Sequence, residues 1–350
     1  MTPEQAENVR MLRDSAAAVV PEGGLARIRA LRFGLPGIER ATWRQMAEMG
    51  WLGLLVPEAA GGAGLGMVEA CALAEALSAG LAPEPWAACA GIARLLPPDV
   101  LAPVLAGERI VLPAWQERAD TVTPGEATVA ASGRVSGRKL FVAMAGAADQ
   151  FLVAAGSGLV LVDAGAAGVT LDVVQMQDGG HSGTLTLDGA PCRAVAGDMV
   201  DALEGGTLLA ASGLLGLMER SFALTLDYLR TRKQFGRPIG SFQALQHRAA
   251  DLLLQIALTR ASVESAAMAL DAGGPLDARR AAVSRAKARA ADGAMLVTRE
   301  AIQLHGGIGY TDEYDVGLYL RRAMVLAPQH GSARLHRARF AALTPEMHDE

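Results

Sequence analysis

The chain has 350 residues, a net charge of −5 and 51% hydrophobic residues, with 40 glycines. That length supports two or three compact units with substantial cores, and mild acidity without a long basic run argues against a nucleic-acid partner. No apolar run reaches about 18 residues without polar or glycine interruption, and Met1-Thr-Pro-Glu-Gln-Ala-Glu7 lacks a basic segment followed by an apolar stretch, so neither a membrane span nor a secretory leader is expected. The three cysteines, Cys71, Cys89 and Cys192, are scattered and form no metal spacing or disulfide framework, which fits a reducing, cytoplasmic setting.

Residues 1 to about 110 read as helical. Ala41 to Met49 repeats apolar residues at three- and four-residue intervals and stops at Gly50. Trp51-Leu-Gly-Leu-Leu-Val-Pro-Glu58 then enters a glycine-rich turn at Gly61 to Gly66, and a helix over Met67 to Ser78 follows. From Ile110 to about Val200 short apolar runs alternate with Gly, Asp and Pro, which is the punctuation of strands and turns: Ile110 to Pro113, Lys139 to Val142, Gln150 to Ala154, Leu159 to Val162 and Thr184 to Leu187. Beyond Gly205 the helical period returns. Leu208 to Leu229 is one long apolar segment, and Phe242, Leu245, Ala249, Leu252, Leu253, Ile256 and Val263 trace a face of the next. Gly273-Gly-Pro275 ends that helix. Ala281 to Leu304 forms a third, closed by Gly306-Gly307, with shorter helices predicted at Tyr319 to Leu326 and Ala333 to Ala342. Abundant alanine favours helices and lets them approach closely. The buried anchors expected from residue type are Trp43, Trp51 and Trp86. His305 is read as shaping a turn, His247 as a helix hydrogen-bonder, and His181 has no assigned role.

Two segments carry chemical information. Arg232-Lys-Gln-Phe-Gly-Arg-Pro-Ile-Gly-Ser-Phe-Gln243 follows one helix, and Gln303-Leu-His-Gly-Gly-Ile-Gly-Tyr310 closes another. Together with Trp51 to Glu58 and Gly61-Gly62, and with the helical, β, helical block order, they resemble the acyl-CoA dehydrogenase family over nearly the whole chain. The resemblance implies a mostly α fold with a central β domain: an N-terminal helical domain (1–109), a small β-barrel (110–203) and a C-terminal four-helix bundle (204–350). It implies FAD as hydride acceptor in α,β-dehydrogenation of an acyl-CoA thioester, with an electron acceptor flavoprotein downstream. Arg232, Gln234, Phe235 and Gln243 would hold the pyrophosphate and adenosine side, and Gln303, Gly306 and Gly307 would reach it from a neighbouring subunit. A pyrophosphate wants a guanidinium and closely approaching backbone N–H groups, which glycine permits.

The sequence also departs from the family pattern. The base is usually a glutamate before a glycine near the C-terminus, and the matching stretch here is Pro328-Gln-His-Gly-Ser-Ala-Arg334. His330 stands at the glutamate position, and Ser332 where the family has a threonine near the cofactor. The alternative base position, opening the first long C-terminal helix, is Gly206, with Glu204 expected in the preceding loop. In the middle domain, Ala114 to Asp120 lacks the Thr-Glu-Pro stretch that leads to Gly-Ser-Asp, and Lys139 to Met144 replaces an aromatic-Ile-Thr-Asn stretch. Three readings follow for His330: a base, a relic in a subunit that needs a base-bearing homologous partner, or a bystander, with either an altered reaction or a base supplied from elsewhere such as Glu204. A homo-oligomer or heteromer is expected, with no membrane or nucleic-acid partner. The other functional classes kept open are a non-catalytic structural subunit and a flavin-free acyl-CoA-binding protein.

Overall fold

The computed structural model describes residues 2–21, 25–156 and 158–344. In chain order the first helices are α1 (Pro3–Val19), α2 (Leu25–Leu31), α3 (Arg40–Glu48), α4 (Met67–Ala79), α5 (Trp86–Ile92) and α6 (Pro98–Leu105). Eight strands follow: β1 (Val111–Ala114), β2 (Val129–Ala131), β3 (Arg134–Ala143), β4 (Gln150–Ala155), β5 (Gly158–Asp163), β6 (Val169–Gln175), β7 (His181–Pro191) and β8 (Arg193–Val195). Then come α7 (Met199–Thr231), a two-strand ribbon of β9 (Lys233–Gln234) and β10 (Arg237–Pro238), and α8 (Gln243–Ala272), α9 (Leu276–His305), α10 (Gly307–Tyr310), α11 (Val316–Leu326) and α12 (Ala333–Leu343). These elements sort into two compact units that interleave in sequence. One comprises Met1–Leu25, Cys71–Ala82 and Thr207–Glu350, the other Ala26–Ala70 and Pro83–Gly206.

The first unit is a helix bundle. Its α1 starts on a capping box: the Thr2 hydroxyl accepts from the Gln5 amide at 3.2 Å, the Gln5 side chain accepts from the Thr2 amide at 2.9 Å, and Pro3 follows the cap. Its central helix α7 buries Leu208, Leu209, Leu214, Leu215, Leu217 and Met218. By length and composition α7 could cross a membrane, but 83% of its most apolar window is buried within the protein, as in a core helix. Glycines on α7 admit α4 at van der Waals distance: a Cβ on Gly216 would lie 2.1 Å from the Glu75 carbonyl oxygen. Gly293 on α9 faces Met218 and Thr259 in the same way. The Tyr319 hydroxyl of α11 donates to the Ala79 carbonyl at 3.0 Å. Across this interior, Arg260 of α8 bridges Glu75 of α4, at 2.7 Å, and Glu219 of α7.

The second unit holds strands β1 to β8. They form two four-stranded sheets, ordered β1-β4-β5-β8 and β2-β3-β7-β6. The expected small barrel is therefore corrected: among the described residues each sheet ends on short or unpaired edges, with three-residue β2 and β8 at two of them, and no ladder closes a cylinder. Among the described residues only β1 and β4 pair in parallel. Phe151 to Ala154 and Leu159 to Val162 are buried on both faces of the first sheet, whereas β7 alternates buried and partly exposed residues, as a half-covered strand should. Trp43, Trp51 and Trp86 are all buried, and the Trp86 indole N–H donates to the Trp51 carbonyl at 2.9 Å. Arg40 grips Asp149 with two contacts of 2.8 Å, and Asp149 also accepts the Ile110 amide at 2.7 Å.

The start of α7 is a second correction. The Gly205-Gly206 pair suggests a break, yet the helix runs from Met199, so Glu204 is a buried helical residue and not a loop residue. The Asp198 carboxylate accepts the Val200 amide at 2.9 Å and supplies the start signal that the glycines obscure.

Candidate cofactor site at the end of the bundle

The chain runs up α7, down α8 and up α9, so the C-terminal ends of α7 and α9 meet at the same end of the bundle. Tyr228 of α7 stacks on His305 of α9 with ring centroids 4.5 Å apart, and Tyr314 adds a third ring at 4.8 Å from His305. The His305 Nδ1 donates to the Ala301 carbonyl at 2.7 Å, and burial lowers its pKa, so the ring is neutral.

Past α7 the chain turns sharply. Phe235 and Gly236 both have positive φ, +53° and +78°, the signature of a two-residue hairpin turn, and Gln234 pairs with Arg237 across it. The Ile239 amide donates to the Arg232 carbonyl at 2.8 Å and fastens the ribbon to the helix end. Past α9, Gly306 stops the helix at φ +65°.

Between these ends lies a cavity of about 690 Å³, bordered by Arg232, Gln234, Gln303, Gly306 and Gly307, with Tyr228, Arg248 and His305 completing its polar wall. Arg248 is committed: its Nε donates to Glu300 at 3.0 Å. Arg232 is not, for its guanidinium makes no ion pair or side-chain hydrogen bond among the described residues. A Cβ added to Gly306 or Gly307 would meet no atom within 4 Å. The wall thus offers an uncommitted cation, two amide side chains and bare backbone, a donor set suited to an anionic, diphosphate-like group.

The structure brings five of the expected binding residues to this cavity and leaves others outside it. Phe235 is 89% exposed at the hairpin tip, its ring edge-on to Phe242 at 6.0 Å. Gln243 opens α8 as an exposed residue. The Ser332 hydroxyl caps α12, accepting from the Leu335 amide at 3.2 Å. Both segments line one cavity of one chain, because three antiparallel helices return α9 to the end where α7 stops. Sequence reasoning missed Tyr228, Arg248 and His305.

His330 lies away from that cavity, in the Ala327–Ser332 turn between α11 and α12. It adopts φ +57° and is half-buried, with Nδ1 shielded from solvent. Burial, followed by the charges of Lys287 and His336, pushes its pKa down to about 3. A neutral imidazole that weak is a poorer base than a free carboxylate.

The N-terminal domain of the acyl-CoA dehydrogenase family matches residues 2–95 and its C-terminal domain residues 197–343. Acyl-CoA dehydrogenase IpdE2 of Mycobacterium tuberculosis is 34% identical over 347 residues, covering 96% of this chain and 94% of that protein. Acyl-CoA dehydrogenase FadE27 of the same organism is 32% identical, over 81% of this chain and 83% of its own length. Among solved structures, the Tcur3481–Tcur3483 steroid ACAD superposes with a TM-score of 0.89 at 32% identity, covering 99% of this chain and 100% of that one. The ChsE4–ChsE5 complex from Mycobacterium tuberculosis gives 0.83 at 27% identity, with 100% and 98% covered. The chain belongs to the acyl-CoA dehydrogenase family.

Proposed function

We propose that this chain is a flavoprotein subunit for α,β-dehydrogenation of an acyl-CoA thioester, and that it works beside a homologous subunit that supplies the catalytic base. The observation that carries the reading is the shared cavity of Arg232, Gln234, Gln303, Gly306 and Gly307. When bound, FAD supplies a hydride acceptor for the substrate β carbon. Arg232 would pair with its pyrophosphate, Gln234 and Gln303 would offer amide donors and acceptors, and Gly306 and Gly307 would let backbone N–H groups come close.

Proton abstraction is where this chain falls short. His330 is held neutral and weakly basic, and Glu204 sits buried inside α7. A base from a partner is the economical solution. The paired names of the Tcur3481–Tcur3483 and ChsE4–ChsE5 relatives support a two-component enzyme. The steroid named for the first favours a bulky, ring-bearing acyl group here over a straight chain. Electrons would pass on to an acceptor flavoprotein in the cytoplasm.

The test is the visible spectrum of the chain, purified alone and co-expressed with a base-bearing homologue of the same family. Flavin absorbance that bleaches on adding an acyl-CoA, in the mixture or alone, is the expected result. Colour in neither preparation discards the flavoprotein reading in favour of a flavin-free acyl-CoA binder. Colour that no acyl-CoA bleaches leaves a structural subunit. His330→Ala should keep the flavin, and loss of bleaching in that variant would restore His330 as the base.

A further inference from the structure

The Ala327–Ser332 turn is held from beneath by polar side chains that the proposed reaction does not use. Lys287 of α9 is buried, and its Nζ donates to the Ala327 carbonyl at 2.6 Å and to the Gly331 carbonyl at 3.1 Å. His336 of α12 is equally buried. Its Nε2 donates to the His330 carbonyl at 2.8 Å, a direction fixed because a carbonyl only accepts. That leaves Nδ1 to accept from the Ser284 hydroxyl of α9 at 3.3 Å. The Ser332 hydroxyl closes the turn as the cap of α12. Three carbonyls of a six-residue turn are therefore bound by two interior side chains.

Two physical points make this arrangement more than ordinary packing. The Ala327 carbonyl ends α11, so the Lys287 ammonium sits at the negative end of that helix dipole. A fully buried lysine is costly unless its donors are used, and here they are spent on the turn. The turn in exchange adopts a conformation it would not take freely: His330 is a non-glycine residue at φ +57°.

We propose that Lys287 and His336 are positioning residues that staple the Ala327–Ser332 turn, fixing the His330 ring as a neutral, immobile part of the wall where the family carries its base. This rests on the reading that the turn borders the acyl site. The charges that oppose protonation of His330 are Lys287 from α9 and, only in its protonated form, His336 from α12. On this reading the Lys287 ammonium adjoins the ring and disfavours the proton that a base at this position would have to take up.

The experiment is nitrogen NMR of the histidine side chains in the full chain, with or without its partner, across the acid range. In the wild type the His330 resonance should keep its neutral signature well below the usual histidine range, and the turn amides should exchange slowly. Lys287→Met removes the cation, so His330 should titrate at a higher pH and turn exchange should quicken at least tenfold. Should Lys287→Met fail to fold, a second pair decides: His336→Gln, which keeps a donor for the His330 carbonyl, should leave exchange near wild type, and His336→Leu should not. A wild-type His330 that titrates near its ordinary value, or turn exchange indifferent to both positions, overturns the staple. Flavin content, read on the same samples, reports separately: a colourless wild type with a slow turn defeats the flavoprotein reading and leaves the staple standing.

Discussion

Arg232, at the end of α7, and Gly306, at the end of α9, face one cavity although more than seventy residues separate them in sequence. One brings an uncommitted charge and the other a backbone without a side chain. Removing the charge should cost the interaction of a charge-assisted contact, about 1.5–3 kcal/mol. Arg232→Ala is therefore expected to weaken flavin retention by roughly 10- to 100-fold, with Arg232→Lys in between because a lysine keeps the charge and loses the fork. Gly306→Val should be as damaging, since it places a branched side chain at φ +65°. Flavin absorbance per chain after gel filtration measures all three, and undiminished colour in Arg232→Ala would move the site elsewhere.

A second prediction concerns stability of the strand-bearing unit. Lys139 of β3 is fully buried and donates to Glu117 at 2.6 Å, and Glu117 also accepts from the Thr128 hydroxyl and from the Ala127 and Thr128 amides. Burial pushes the Glu117 carboxyl up, but these hydrogen bonds outweigh it and bring the pKa down to about 2. Glu117→Leu strands a buried cation and should cost about 3–5 kcal/mol, whereas adding Lys139→Met should recover most of it. Chemical denaturation of the two variants checks this. A single variant as stable as wild type would show that Lys139 finds another partner or loses its proton.

The folded chain should also be acid-sensitive through histidines held neutral. Burial lowers the pKa of His181, whose Nε2 accepts the Gly146 amide at 2.8 Å, and of His305, and takes His330 to about 3. Below the ordinary value of about 6.5 the unfolded chain binds protons that the folded chain refuses, so stability is lost as pH falls from there towards 3. Glu117 extends the loss below its ordinary value. Unfolding free energies measured between about pH 7 and pH 4 should fall steadily, and His330→Gln should flatten the slope. A flat wild-type profile would mean that these rings are accessible and titrate normally.

Much of this was legible in the chain, for reasons that can be named. Gly50, Gly273 and Gly306 end helices at positive φ, as glycine does after a helical period. The apolar runs of β4 and β5 stand out because both faces are buried. β6 and β2 were missed because their outward residues are polar or small and their pattern carries little apolar contrast. The interleaving of the two units was invisible, since α4 joins the bundle through glycines on α7 that mark a close approach only once a partner is seen. In the site, the glycine pair and Arg232 were readable from motif chemistry. Arg248, Tyr228 and His305 were not, because each looks like an ordinary helical residue until three helices meet. The Lys287 staple was hidden for the same reason: a lysine in an alanine-rich helix reads as surface.

The last prediction concerns association. On α8, Leu253, Leu254 and Leu258 are about half exposed, and with exposed Ala250, Ala257 and Ala261 they make an apolar stripe opposite the face formed by Leu252, Ile256 and Val263. Leu253, read from the sequence as part of that inner face, is corrected to this outer one, because it stands about 100° of helix turn from Leu252. Single exposed leucines need no explanation, but a contiguous stripe along one helix is the pattern of a surface covered by another chain. Two carboxylates there would be desolvated on association, at a cost that far exceeds the loss of two leucine contacts. Leu254→Glu/Leu258→Glu is therefore expected to shift the assembly to a smaller mass by light scattering, with helicity and thermal stability of the monomer retained because neither side chain supports the bundle core. The variant should still show any flavin bound within one chain, since the cavity residues lie together in that chain. An unchanged mass would place the contact on another face, and loss of flavin together with the mass shift would show that the cavity is completed only in the assembly.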